Sequence, residues 1–555
     1  AALEKKNADE KFAAAGIKPR IVNLLRENQE EAEFSKMLAT IRLDAPIEFS
    51  LPERTWREQL DTEAIFTLFG ELGFRTLGAR VKNLFDVSEA EAQVADVGQV
   101  DAELVTKAGI LLWLLQSDTT NPTFDDIIDH GRARYNTSNF DEIYAALEQD
   151  VKERGLWSVY EEIELPLIPV VAEMNRLGIK LDVAYLKKLS KKLHAELSEL
   201  ETKIYGHVGH DFNINSPKQL GAVLFDELGL TPKNAKKTAG GQRSTKESEL
   251  EKLADEHPII GEILRYRELQ KLVSTYIDNM PDMVGPDGRL HSTLIQTGTT
   301  TGRMASKDPN LQNIPIRTEE GRLVRKGFVA AEGYQLVAID YSQIELRIAA
   351  MLSSDPMLVD IFKRGEDVHT GVAVRVFKVD ADEVTSEMRR KAKVINFGIL
   401  YGMGVNALRQ NLGGETSREE AQHFLNAYFN TFTRLADYLE ETKEFARQHG
   451  YTETMFGRRR HFPGISSGAP FIRAQQERMA INAPIQGTEG DILRIAMREV
   501  HEYIQAQANP DEVRLLLQIH DELMFEVKTG ALAMHVPPIK TIMENVFEGK
   551  ETQGV

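Results

Sequence analysis

The sequence contains no cysteine. That absence excludes disulfides, zinc–thiolate centres and thiol nucleophiles, and it fits a cytoplasmic setting. No apolar run approaches the roughly 20 residues that a membrane span needs. The opening residues, Ala1 to Lys6, lack the pattern of a secretory signal. No membrane partner is therefore expected. Positive charge is in the minority, with 67 Lys and Arg against 85 Asp and Glu and a net charge of −18. That balance argues mildly against a polyanionic partner, but nucleic-acid binding depends on a local basic face and not on the sum. The 42% hydrophobic and 27% charged content of 555 residues is that of a soluble globular chain too long for one core. About three or four domains are expected.

Two stretches combine apolar runs with carboxylates. Leu336 to Ile339 reads as a short buried strand that ends at Asp340, after which Ile344, Arg347, Ile348 and Met351 take a helical spacing. An acid where strand gives way to helix either caps that helix or is held at a sheet rim where a metal can use it. Leu515 to Leu517 and Leu523 to Phe525 read as two strands around His520, Asp521 and Glu522. Two adjacent acids at a tight hairpin turn need solvent, a metal or a partner. Together, the two stretches suggest one site for a divalent cation, with Mg²⁺ favoured by hard oxygen ligands.

Along the chain, residues 1–90 read as polar helices broken at Pro46, Pro52 and Gly70. Residues 91–165 contain Asp101 and Glu103, which are either half of an exonuclease metal site or, more simply, a solvated helix face. Leu186, Leu189, Leu193, Leu197 and Leu200 form a packing stripe. Lys233 to Lys246 has no acid among Lys236, Lys237, Thr238 and Arg243, and its glycines and hydroxyls suit phosphate oxygens as well as plain solvent. The loop from Gln296 to Pro315 is dense in amides and hydroxyls, among them Arg303, Asn310, Gln312 and Asn313. Arg389, Lys393, Phe397 and Tyr401 are spaced by four, which puts two cations and two aromatics along one helix face. A nucleoside triphosphate divides in the same way between anionic tail and base. Arg478, Asn482 and Gln486 form a second stripe at the same spacing.

Asp340-Tyr341-Ser342-Gln343-Ile344-Glu345, the Arg389/Lys393/Phe397/Tyr401 helix, and His520-Asp521-Glu522 resemble motifs A, B and C of the family A DNA polymerases. Gln296 to Pro315 and Thr454 to Arg460 match as well, and the chain is similar to a Klenow-type large fragment from about 166 to 530. The resemblance implies an α+β right-hand fold with an antiparallel palm sheet and mostly helical fingers and thumb. The expected divisions are a helical remnant of a 5′-nuclease region at 1–90, a degenerate exonuclease-like region at 91–165, thumb 166–290, palm 291–351, fingers 352–472 and palm again 473–555. The implied activity is template-directed DNA synthesis in replication or repair by a monomer. Its partners would be primer-template DNA and deoxynucleoside triphosphates. The implied cofactors are two Mg²⁺ ions, with Mn²⁺ able to substitute, held by Asp340, Asp521 and the Tyr341 carbonyl, with Glu522 close by. Arg389, Lys393 and His369 would meet the phosphates. Phe397, Tyr401 and Gln343 would contact the nucleotide, and Glu345 would block a ribose 2′-hydroxyl. Arg303, Arg478, Asn482, Gln486 and His520 would contact DNA.

Three departures qualify the resemblance. The 5′-nuclease body is expected to be missing, and residues 91–165 are too few for a proofreading domain, so neither exonuclease activity is expected. The palm is expected to end early, so that either the C-terminus is truncated or the palm sheet has an open edge. Competing readings are a single-subunit RNA polymerase, an inactive DNA-binding protein and a metal-dependent nuclease. Glu345 argues against the first and the intact Asp340, Asp521 and Lys393 against the second.

Overall fold

The structure is a computed structural model. It describes residues 100–555 apart from 231–242, 316–317, 414–415, 510, 548–551 and 553, together with Ala64, Ile65 and Leu68. The reading of residues 1–90 and the proposed phosphate contacts of Lys236, Lys237 and Thr238 therefore lie outside the described residues.

The first described helices are α1 (Ala102–Leu115), α2 (Phe124–Tyr135) and α3 (Phe140–Glu153). Each opens on a polar cap, Asp101, Thr123 and Asn139 respectively, whose side chain accepts a backbone N–H. They bury Ile110, Leu111, Ile127, Ile143 and Leu147 against one another. No strand occurs among the described residues from 100 to 165. Asp101 spends its carboxylate on the α1 cap and Glu103 pairs with Lys107 at 2.6 Å, so the Asp-x-Glu pattern is taken up structurally.

In helix α4 (Leu165–Leu177), Leu167, Val170, Val171 and Met174 pack with Leu493, Met497, Phe525 and Val527 in the core under the main sheet. Two further long helices are α5 (Val183–Val208) and α6 (Pro258–Leu272). The α5 stripe is buried as its spacing predicts, from Leu186 through Leu200 to Ile204. Each such side chain is worth about 2 kcal/mol of apolar burial.

The main sheet holds β1 (Tyr334–Asp340), and α7 (Ile344–Ser353), α8 (Val368–Phe377) and α9 (Ser386–Leu400) follow it in sequence. Helices α10 (Arg418–Thr431) and α11 (Thr433–His449) complete the second large core, with Phe424, Tyr428, Phe432 and Leu435 at its centre. The 37-residue α12 (Pro470–Ala506) leads back to β2 (Val513–Ile519), β3 (Glu522–Lys528) and α13 (Leu532–Asn545). The sheet is antiparallel with order β1-β3-β2. Strand β1 is thus an edge strand with Gln335, Ala338 and Asp340 exposed, not the buried strand that its apolar run suggested. The run is apolar because Leu336 leans on the core around α5 and α6 while Val337 and Ile339 lean on the core beneath the sheet. The two expected strands form a hairpin, β2 and β3, with Ile519 opposite Glu522 and a register shift between Leu515 and Leu517; its turn is His520 and Asp521 alone, so Glu522 opens β3 and does not lie in the turn as expected.

Candidate active site

Sheet register brings the two carboxylate stretches together. Asp340, the last residue of β1, pairs with Glu522, the first of β3. The Tyr341 N–H donates to the Asp521 carbonyl at 3.1 Å. Chain direction is then set by two residues in the left-handed region, Gln343 at φ 57° and His520 at φ 54°. Side chains tolerate that conformation poorly, so it marks turns fixed by their surroundings. The Asp340 and Asp521 side chains share a hydrogen bond. Asp340 is exposed at the sheet rim, yet partial burial and the Asp521 charge push its carboxyl up to about 6. Burial also pushes Glu522 up, and its Oε1 is enclosed with no hydrogen-bond partner. Two crowded carboxylates beside an unpartnered third oxygen are the arrangement that a hard cation would relieve. By residues alone no group of three or more His, Cys, Asp or Glu stands ready as a metal cage among the described residues. Two carboxylates and a backbone carbonyl are the set on offer, leaving room for water or substrate oxygens.

Helix α9 stands as its spacing predicts. Arg389 and Lys393 are exposed and Phe397 is half-buried, while Ala392, Ile395, Asn396 and Ile399 on the other side are buried. Tyr401 closes the helix and is 44% exposed. Arg389 grips Asp367 in a two-toothed pair at 2.9 and 2.8 Å. Although burial works against it, the pair with Arg389 holds the Asp367 carboxyl far below the usual range. Lys393 makes no ion pair among the described residues. His369, in α8, is only 3% exposed, accepts at its Nδ1 from the Asn396 amide at 3.1 Å, and tilts against the Phe397 ring at 5.8 Å. Burial pushes its ring down to about 4, so the imidazole is neutral at pH 7 and would meet a phosphate as a hydrogen-bonding group, not as a charge.

Around this centre, Arg303 Nη2 donates to Glu345 at 2.6 Å and to Glu489, and the Tyr401 hydroxyl donates to Glu345 at 2.9 Å. Burial pushes Glu489 above the usual carboxylate range despite Arg303. Gln312 donates to the Gln518 side chain at 3.0 Å, Asn310 caps the turn that carries it, and Asn313 is exposed. Arg478 is exposed on α12 and packs against Gly402, where a Cβ would come within 2.9 Å of its Cγ. Asn482 and Gln486 are half-buried below it, and the Asn482 amide nitrogen has no partner. His520 is exposed at the hairpin tip. Arg243 lies apart from this centre, paired with Asp226 and over the Phe225 ring.

Sequence reasoning missed Asp367, Asn396, Glu489 and a buried network behind the site. In that network Glu164 (0% exposed) binds Arg458 and approaches Arg494 at 3.2 Å, while Arg458 also binds Asp491 at 2.7 Å. Burial pushes Glu164 up, but Arg494 and Arg458 outweigh it and hold the carboxyl low. Trp113 of α1 covers both guanidiniums at 5.0 and 5.6 Å and donates to the Thr299 carbonyl at 2.9 Å. The signal for Glu489 was present in Gly487 and Gly490, since paired glycines inside a helix mark a close approach. Glu164 offered none.

The site thus combines an antiparallel sheet rim carrying two carboxylates with a helix of exposed cations and aromatics. A model of DNA polymerase family A matches residues 183–551, and the chain belongs to that family. It is 45% identical over 417 residues to the thermostable DNA polymerase I of Thermus aquaticus, covering 75% of this chain and 49% of that protein. It is 44% identical over 394 residues to DNA polymerase I of Deinococcus radiodurans, covering 71% and 40%. The chain spans about half the length of the curated Thermus relatives it matches. Among solved structures, the POL domain of Pol1 from M. smegmatis, in complex with DNA primer-template and dNTP, is similar with TM-score 0.74 and 37% identity over 80% of this chain and 78% of that one. The expected polymerase-domain fold is thus met. No helix among the described residues is long and apolar enough to cross a membrane.

Proposed function

We propose that this chain is a template-directed DNA polymerase that extends a primer 3′-hydroxyl with deoxynucleotides. The observation that carries the reading is the meeting of Asp340 and Asp521 through a shared hydrogen bond at the rim of one sheet. The relatives named DNA polymerase I and the M. smegmatis complex with primer-template and dNTP support it.

Asp340, Asp521 and the Tyr341 carbonyl would hold the divalent cations, for which Mg²⁺ suits the all-oxygen donors. When bound, two such ions supply activation of the 3′-hydroxyl and neutralisation of the triphosphate charge. Arg389 and Lys393 bind the phosphates, and Lys393 can hand its proton to the departing pyrophosphate oxygen. Phe397 floors the sugar. Glu345, fixed by Arg303 and Tyr401, fills the space a 2′-hydroxyl would need. Arg303, Arg478, Asn482, Gln486 and His520 line the approach of the primer-template, with Gln312 and Asn313 beside them. We also infer that the chain lacks 3′→5′ exonuclease activity, because Asp101 and Glu103 are committed to a cap and an ion pair.

Primer extension tests the reading. Wild type and Asp340→Asn are compared with Mg²⁺ on a primed template, with deoxynucleotides, ribonucleotides and no nucleotide in separate reactions. Extension by wild type with deoxynucleotides alone, lost in the variant and with no primer shortening, is expected. Primer shortening without extension would replace the proposal with a nuclease.

A further inference from the structure

Gly487 and Gly490 lie within one turn of α12. A Cβ at Gly490 would stand 2.9 Å from the Gly302 carbonyl oxygen, and one at Gly487 would stand 3.1 Å from that of Thr301. The loop that carries Arg303 therefore runs directly against the helix, helped by Gly302 at φ 93°. Between the two glycines the helix presents Glu489, whose side chain is 2% exposed. Its carboxylate binds the same Arg303 nitrogen that donates to Glu345 at 2.6 Å, and Glu345 accepts from Tyr401 at 2.9 Å. The Arg303 Nε is enclosed without a partner.

Two largely buried carboxylates thus share one guanidinium. Fastening a loop to a helix needs one pair, and a second buried acid costs desolvation that a single cation does not repay. The extra carboxylate gives the guanidinium a second fixed anchor. Arg303 is held from the α12 side and cannot turn about its pair with Glu345, so the Glu345 oxygens keep their orientation toward Tyr401.

We propose that Glu489 is a positioning residue for sugar selection, fixing Arg303 and through it the Glu345 carboxylate that faces the sugar of an incoming nucleotide. This rests on the polymerase reading above. With the charge of Glu489 removed, Arg303 has one anchor, Glu345 gains freedom to shift, and a ribose is accepted more readily.

Single-nucleotide incorporation on one primer-template tests this, with kcat and KM measured separately for a deoxy- and a ribonucleoside triphosphate. In Glu489→Gln the ratio of kcat/KM for deoxy over ribo is expected to fall about tenfold, the effect of one charged hydrogen bond, through a lower KM for the ribonucleotide. Glu489→Asp keeps the charge but retracts it by one methylene, and an intermediate ratio is expected. Should Glu489→Gln fail to fold, the Asp variant decides alone. An equal loss for both sugars, with the ratio unchanged, would make Glu489 a purely structural tie and overturn the proposal. Wild type that extends with neither nucleotide would instead remove the polymerase reading on which it stands.

Discussion

Replacing Asp340 by asparagine is expected to stabilise the cation-free protein while abolishing primer extension. In the folded chain the Asp340 carboxyl rises from its ordinary 3.8 to about 6. At 1.36 kcal/mol per tenfold this is about 3 kcal/mol at face value, which the exposure of the side chain reduces to about 1 kcal/mol through solvent screening. The sign follows from linkage. A carboxyl raised in the folded state costs nothing below its unfolded value, and the penalty grows as pH climbs from about 4 to about 6 and is complete above that. An asparagine carries no charge, and its amide can donate the hydrogen bond that Asp521 now shares. The assay is urea unfolding in chelator at several pH values, followed by the apparent midpoint. The variant should be the more stable at pH 8, and the gap should close as pH falls toward 4. Mg²⁺ should stabilise wild type at pH 8, by about 2.7 kcal/mol at a hundredfold its dissociation constant, and leave Asp340→Asn almost unmoved. A variant no more stable than wild type at pH 8, or equally stabilised by Mg²⁺, would refute the assignment of Asp340 to a strained, cation-requiring pair.

Three further outcomes are expected. Lys393→Ala should lower turnover more than about tenfold, since Lys393 is an exposed cation free to meet phosphate; a smaller loss in single-turnover kinetics would mean the triphosphate is held otherwise. Asp367→Asn keeps the cap of α8 but releases Arg389 from its two-toothed pair, so KM for the nucleotide should fall about twofold to fivefold, the scale of one exposed ion pair. A raised KM would show that Asp367 orients Arg389 and does not compete for it. Arg458→Ala should cost about 3–5 kcal/mol, because it leaves Asp491 buried without its cation and Glu164 with Arg494 alone. Trp113 fluorescence should report the loosening of α1, and an unchanged denaturation midpoint would count against the network.

The sequence by itself determined the local chemistry. Two features depend on short-range spacing, the α5 stripe and the segregated face of α9, and each stands as its residues implied. Strand-borne acids could be recognised singly for the same reason. Their meeting was a guess until sheet order β1-β3-β2 and the register of Asp340 with Glu522 joined them. Tertiary structure alone made β1 an edge, because a residue alternately facing two cores looks apolar whether or not its strand is covered. It also packed α4 into the core beneath the sheet. Finally, it supplied the partners of buried charge. Only the fold gives Glu164, Asp367 and Glu489 each the arginine that makes its position tolerable.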